Sequence, residues 1–170
     1  MDQAARKIAG FNDRQAAPMM RRVLLAEDNG ELRELLQRAL ELDGYEVIGF
    51  ADGTTLVDYL GDALRAQSDT IVPDIIVSDI RMPGFSGMDV LAALRRADLE
   101  VPVILITAFG NEEIEAEARR LGASLFIKPF DLDDLRTALK YFLEHERGGT
   151  RLDAGLQVRS RRGTPPTLKH

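Results

Sequence analysis

The chain has 170 residues, of which 45% are hydrophobic and 29% charged, a balance that fits one ordinary globular domain with length to spare and excludes a wholly disordered chain. It has no cysteine, so disulfides, thiolate catalysis and cysteine-ligated metals are excluded. The net charge of -6 is unevenly spread: residues 21–144 hold 13 basic and 24 acidic residues, net -11, whereas residues 145–170 hold 6 and 2, net +4. An acidic body argues against nucleic acid as the main partner. No apolar run approaches the ~18 residues that a membrane span needs, and the first twenty residues lack the apolar core of a secretory signal.

Residues 1–20 show no sustained period and read as a flexible N-terminal arm. Regular text begins at Arg21. "VLLA" (23–26) reads as a strand, and Leu32, Leu35, Leu36, Ala39 and Leu40 then fall at the spacing of a helix that buries one face, ended by Gly44. "YEVIGF" (45–50) is a second strand. Leu56, Val57, Leu60 and Leu64 stripe a second helix, with Asp52 or Thr54 near its start.

"DIIVS" (74–78) predicts a third strand and Met88 to Arg96 a third helix. "VPVILIT" (101–107) predicts a fourth strand, and Glu112 to Leu121 a fourth helix with a thin stripe of Ile114, Ala118 and Leu121. "LFI" (125–127) is a short fifth strand, before a fifth helix striped by Leu132, Leu135, Leu139, Phe142 and Leu143. Strands that are apolar throughout are expected where helices cover both faces of a parallel sheet. Five βα units therefore predict a doubly wound α/β domain over residues 21–144. Its ligand site belongs beyond the carboxyl ends of the strands, where strand order switches.

The residues at those ends are Glu27-Asp28, Asp79, Thr107 and Lys128-Pro129. In "VSDIRMPGFSG" (77–87) an apolar strand delivers Asp79, and Pro83, Gly84 and Gly87 then turn the chain away so that a ligand can approach. Three carboxylates at one edge repel one another unless a cation intervenes. An oxygen-only donor set with open positions suits Mg2+, with Mn2+ as the alternative ion. Asp79 then reads as a nucleophile toward phosphorus, with Lys128 neutralising charge and Thr107 donating a hydrogen bond to the phosphoryl group. Taken singly, each has a bland reading: Glu27-Asp28 opens a loop that Asn29 turns into a helix cap, Thr107 ends a strand, and Lys128 is solvated. Jointly, their recurrence at the ends of apolar strands favours the site.

With "VLLAEDN" (23–29), "DIRMPGFSG" (79–87), "ILITA" (104–108) and "KPFD" (128–131) in order, the sequence resembles the receiver domains of bacterial two-component response regulators. The resemblance implies a flavodoxin-like, five-stranded parallel sheet of strand order 2-1-3-4-5 with five helices. It implies that Asp79 accepts phosphate from a sensor histidine kinase or histidine phosphotransfer protein. Glu27, Asp28 and Asp79 would hold Mg2+ together with the backbone carbonyl of Arg81. Thr107 would be the switch hydroxyl, Lys128 the cation that pairs with the phosphoryl group, and Pro129 the proline after a cis peptide.

The sequence departs from the family in one stretch. Where an aromatic residue usually stands three positions before the lysine, this chain has Leu125, with Phe126 next, and Gly122 to Lys128 is one residue short. Either Phe126 takes over the aromatic's part or signalling uses a different readout. The family also places regulatory change on the face of the fourth helix, fifth strand and fifth helix, which the thin fourth stripe suits.

Residues 145–170, with "VRSRRG" (158–163), read as a basic, disordered tail too poor in apolar residues for a DNA-binding unit. The expectation is a cytoplasmic, stand-alone phosphoacceptor, not an enzyme in its own right, that assists its own phosphorylation and dephosphorylation. It would signal through a downstream protein or a phosphorylation-dependent homodimer. The alternative is a phosphorylation-independent interaction module on the same scaffold. A phosphatase using Asp79 is weaker, because the second acid it needs two residues later is Arg81 here.

Overall fold

The computed structural model describes residues 20–65, 73–145 and 157–158. The expected arm, apart from Met20, and most of the expected tail lie outside these. Strands β1 (Arg22–Ala26), β2 (Glu46–Phe50), β3 (Ile75–Asp79), β4 (Val103–Thr107) and β5 (Ser124–Ile127) alternate with helices α1 (Gly30–Leu42), α2 (Gly53–Arg65), α3 (Gly87–Arg96), α4 (Glu112–Arg120) and α5 (Leu132–His145). The strands pair in parallel in the order β2-β1-β3-β4-β5. A two-residue strand, β6 (Gln157–Val158), continues the sheet beyond β5, which the tail's composition did not announce.

Side chains alternate across a strand, so a run that is apolar throughout feeds two cores. Leu24, Ala26, Ile76, Leu105 and Leu125 pack with α2, α3 and α4. Val23, Leu25, Ile75, Val77, Ile104, Ile106 and Phe126 pack with α1 and α5. Each fully buried Leu or Ile side chain contributes about 1.5–3 kcal/mol of transfer free energy. The absence of polar alternation in the central strands is thus the signature of a sheet covered on both sides.

Two stripe residues depart from expectation. Leu35 on α1 and Leu64 on α2 are 56% and 48% exposed, while Leu36, Leu40, Leu56 and Leu60 are buried. At 100° per residue the five-position stripe of α1 spans about 140°, wider than the contact that a sheet offers, so Leu35 at its edge is left in water, while Leu64 stands in the last turn of α2. Ala118 is the buried residue of α4, with Ile114 and Leu121 packed at the margin of the core.

Local chemistry fixes the ends of the elements. The Asn29 side chain caps α1 by accepting from Leu32 N, and Ser86 with Asp89 forms a reciprocal capping box on α3. Asp52 accepts from Thr55 N at 2.8 Å at the start of α2. β4 begins at Val103 rather than Val101, because Pro102 has no N–H to give the ladder and contributes its carbonyl to Ile76 N instead. β3 extends one residue further than expected, so Asp79 itself pairs with β4, opposite Ile106.

Candidate functional site

β1 and β3 are neighbours although α1, β2 and α2 separate them in the chain, so the strand order switches between them. Their carboxyl ends carry Glu27-Asp28 and Asp79. Carboxylate oxygens of these three residues lie within 4.8 Å of one another. Glu27 and Asp79 are 1% and 5% exposed, and Asp28 faces solvent. Thus one acid of the three is open to water while two are held by the fold.

Each buried acid has fixed partners. Glu27 Oε1 accepts from Asn29 N at 3.2 Å, and its carbonyl accepts from the Arg33 guanidinium at 2.6 Å. Asp79 Oδ1 accepts from Arg81 N at 2.7 Å. Lys128 arrives from the end of β5 and donates Nζ to Asp79 Oδ2 and, at 2.9 Å, to Glu27 Oε2. Burial raises the pKa of Glu27, and Asp79 adds to this, while the hydrogen bond and charge of Lys128 oppose the rise. Burial works against the Lys128 ammonium, but its hydrogen bonds to Asp79 and Glu27 outweigh that and raise its pKa. Formally, three carboxylates and one ammonium leave two negative charges, which one divalent cation would cancel.

Thr107 ends β4 and is fully buried. Its Oγ1 accepts from Phe109 N at 3.1 Å, and its carbonyl accepts from Lys128 N at 2.7 Å, which ties the lysine's backbone to the neighbouring strand. The Lys128–Pro129 peptide is cis. The shortened stretch before Lys128 still delivers it to the acids. Phe126 is fully buried with its ring edge-on to Phe130 at 5.9 Å, and Leu125 is buried on the opposite face.

The turn after Asp79 does more than clear space. A Cβ on Gly87 would stand 2.4 Å from the Asp79 carbonyl oxygen, so only glycine lets α3 approach that strand end so closely. Gly84 has φ +77 and lies against Thr54, and Gly53 N donates to the Pro83 carbonyl at 3.1 Å. The β3–α3 loop is therefore seated on the start of α2.

Asn29, Arg33, Gly53 and Phe109 were not singled out for the site by sequence reasoning. The Arg81 guanidinium sits 4.2 Å from the Phe109 ring centroid, joining the two loops that follow β3 and β4. No short-range pattern marks such a contact. A concavity of about 320 Å³ lined by Arg21, Pro73, Asp74, Glu100, Val101, Pro102 and Leu143 lies at the opposite, amino edge of the sheet, away from the acids.

A doubly wound sheet with convergent acids at its switch point defines a phosphate- or metal-handling α/β class. Comparison with known proteins narrows it. Residues 23–140 match the family model of the response regulator receiver domain. The chain is 30% identical over 126 residues to Sporulation initiation phosphotransferase F of Bacillus subtilis (strain 168), covering 74% of this chain and 95% of that protein. It is 36% identical over 124 residues to Regulatory protein AtoC of Escherichia coli (strain K12), covering 72% of this chain but 25% of AtoC, so it spans about a quarter of that relative.

Among solved structures, response regulator TrrA of Thermotoga maritima, in complex with Mg2+–BeF, superposes with a TM-score of 0.61 at 26% identity. That match covers 72% of this chain and 99% of TrrA. Chemotaxis protein CheY4 of Vibrio cholerae gives 0.60 at 28%, covering 72% and 98%. The chain belongs to the response regulator receiver domain family. It is a phosphoacceptor signalling domain of the two-component type, and the phosphorylation-independent alternative is not favoured.

Proposed function

We propose that Asp79 is the phosphoacceptor and that Glu27, Asp28, Asp79 and the Arg81 backbone carbonyl hold Mg2+, or Mn2+ in its place. The observation that carries this reading is the assembly of three carboxylates within 4.8 Å, with the Lys128 ammonium already on two of them. An oxygen-only set with one solvent-facing member fits an ion that keeps several waters. When bound, such an ion neutralises charge on the transferred phosphoryl oxygens.

The chain's own residues do the rest. One oxygen of Asp79 attacks the phosphorus of a phosphohistidine, the new O–P bond forms as the P–N bond breaks, and the imidazole leaves with a proton from solvent. The Arg81 N–H orients the carboxylate by holding Oδ1. Lys128 exchanges its contact with Asp79 Oδ2 for a phosphoryl oxygen, and Thr107 turns its hydroxyl from Phe109 N toward the same group. Hydrolysis of the acyl phosphate at the same site makes the protein assist its own dephosphorylation. The donor is a sensor histidine kinase or histidine phosphotransfer protein, and the compartment is the cytoplasm.

Phe126 is already fully buried, so an inward swing of an aromatic ring at β5 has no outward starting point. This favours a readout other than that swing, carried to a downstream protein or a second copy. The test is incubation with Mg2+ and a small phosphodonor, followed by mapping of an acid-stable, base-labile adduct. Labelling of Asp79 that vanishes in Asp79→Asn supports the reading. Wild-type protein that stays unlabelled with both small-molecule and kinase donors overturns it.

A further inference from the structure

The sheet has two edges, and they are built differently. β2, at one edge, carries Glu46 and the exposed Gly49 and is only partly buried along most of its length. β5, the last strand of the five-stranded core, reads Ser-Leu-Phe-Ile, with no charge and three of four residues buried. A bare, uncharged apolar edge is a template for pairing with any extended chain, another copy of the same protein included. Here that edge is taken: Leu125 stands opposite Gln157 and Phe126 opposite Val158, in parallel.

We propose that Gln157–Val158 are a detachable cover of the outer edge of β5, supplied by the same chain, that keeps this edge from pairing with a second copy. Three observations favour the chain's own segment. Eleven residues separate His145 at the end of α5 from Gln157. Extended, that length reaches about 36 Å, ample for a return past one helix to the adjoining strand position. The segment belongs to a stretch of net +4 attached to a body of net -11, so attraction holds it near. A short tether also gives an effective concentration on the order of millimolar, above what a second copy reaches at ordinary protein concentrations. Among the described residues the pairing is two residues long, so it opens far below the cost of unfolding the sheet. The inference is independent of whether Asp79 takes up phosphate.

The test uses the full chain carrying Gln157→Pro and Val158→Pro. Proline has no N–H, and successive residues of a strand address opposite neighbours, so the pair of substitutions removes whichever N–H faces β5. Amide exchange in Ser124–Ile127 is expected to rise at least about tenfold at the positions facing β6, with β1 to β4 unchanged. Sedimentation is expected to pass from monomer to concentration-dependent dimer. Of the two single variants, one should reproduce the double variant and the other should resemble wild type, a pattern that general misfolding would not give. Unchanged exchange in β5 overturns the proposal, as does a variant that loses protection yet stays monomeric. A wild-type dimer whose β5 protection disappears on dilution also overturns it, since the cover would then come from the partner.

Discussion

Lys128 Nζ lies 2.9 Å from Glu27 Oε2, an ion pair between residues 101 positions apart whose acid is almost wholly buried. The same ammonium holds Asp79, so one cation serves two carboxylates of neighbouring strands. Removing it leaves a buried Glu27 with only a backbone N–H. Lys128→Ala is expected to destabilise the metal-free protein by about 3 kcal/mol, the low end for stripping the partner from a buried charge because the lysine is itself partly exposed. Urea unfolding in chelator measures this. A loss below about 1 kcal/mol would mean that solvent already screens the pair.

Asp28 is the solvent-facing member of the acid cluster, so its replacement disturbs no core packing. A ligand present at a hundred times its Kd stabilises the folded state by about 2.7 kcal/mol. Thermal unfolding of the wild type is therefore expected to shift upward on addition of Mg2+, and Asp28→Asn is expected to lose most of that shift, with a metal-free melting temperature equal to or above that of the wild type because one of the repelling charges is gone. Equal shifts in both proteins would remove Asp28 from the metal site.

Gly53 and Gly30 both begin helices, yet their surroundings differ. A Cβ on Gly53 would stand 1.8 Å from the Phe85 carbonyl oxygen, a backbone atom that cannot step aside, whereas a Cβ on Gly30 meets nothing closer than the tip of Arg33 at 3.7 Å. Gly53→Ala is expected to cost roughly 1–3 kcal/mol by forcing the β3–α3 loop off α2. Gly30→Ala is expected to be neutral or to stabilise by up to about 1 kcal/mol through helix propensity. Chemical denaturation of the two variants side by side decides it. Equal effects would show that the loop yields freely.

Arg136 on α5 grips Asp43 beyond the end of α1, with Nε 2.7 Å from Oδ2. Hydrogen bonding by Arg136 is the main cause that holds the Asp43 carboxyl below its ordinary value of 3.8, with partial burial opposing it. A depressed folded-state pKa means that the contribution is complete above pH 3.8 and is lost as pH falls through the folded value. Arg136→Gln is expected to flatten that part of the stability profile and to leave the difference from wild type constant above it. A difference that grows between pH 5 and 8 instead would assign the effect to another group.

Much of the domain is legible along the chain. Apolar strands such as 75–77 and 103–106, and stripes such as Leu36 with Leu40, announce a sheet covered on both faces, because burial imposes its period on the residues that experience it. The breaks after Glu27-Asp28 and Asp79 mark the strand ends that carry the acids. Less visible are contacts that depend on how finished elements meet: Leu35 and Leu64 lie beyond the reach of the sheet, Gly53 is required by a carbonyl from another loop, and Arg81 finds Phe109.

The sequence alone therefore determined which residues form strands and helices and which polar groups stand at their ends, since periodicity and chain breaks are local properties. Only the tertiary structure decided that Glu27, Asp79 and Lys128 touch, that the β3–α3 loop rests on α2, and that residues 157–158 close the edge of β5. Those outcomes depend on which elements become neighbours in the sheet, and neighbourhood is set by the packing of the whole core rather than by spacing along the chain.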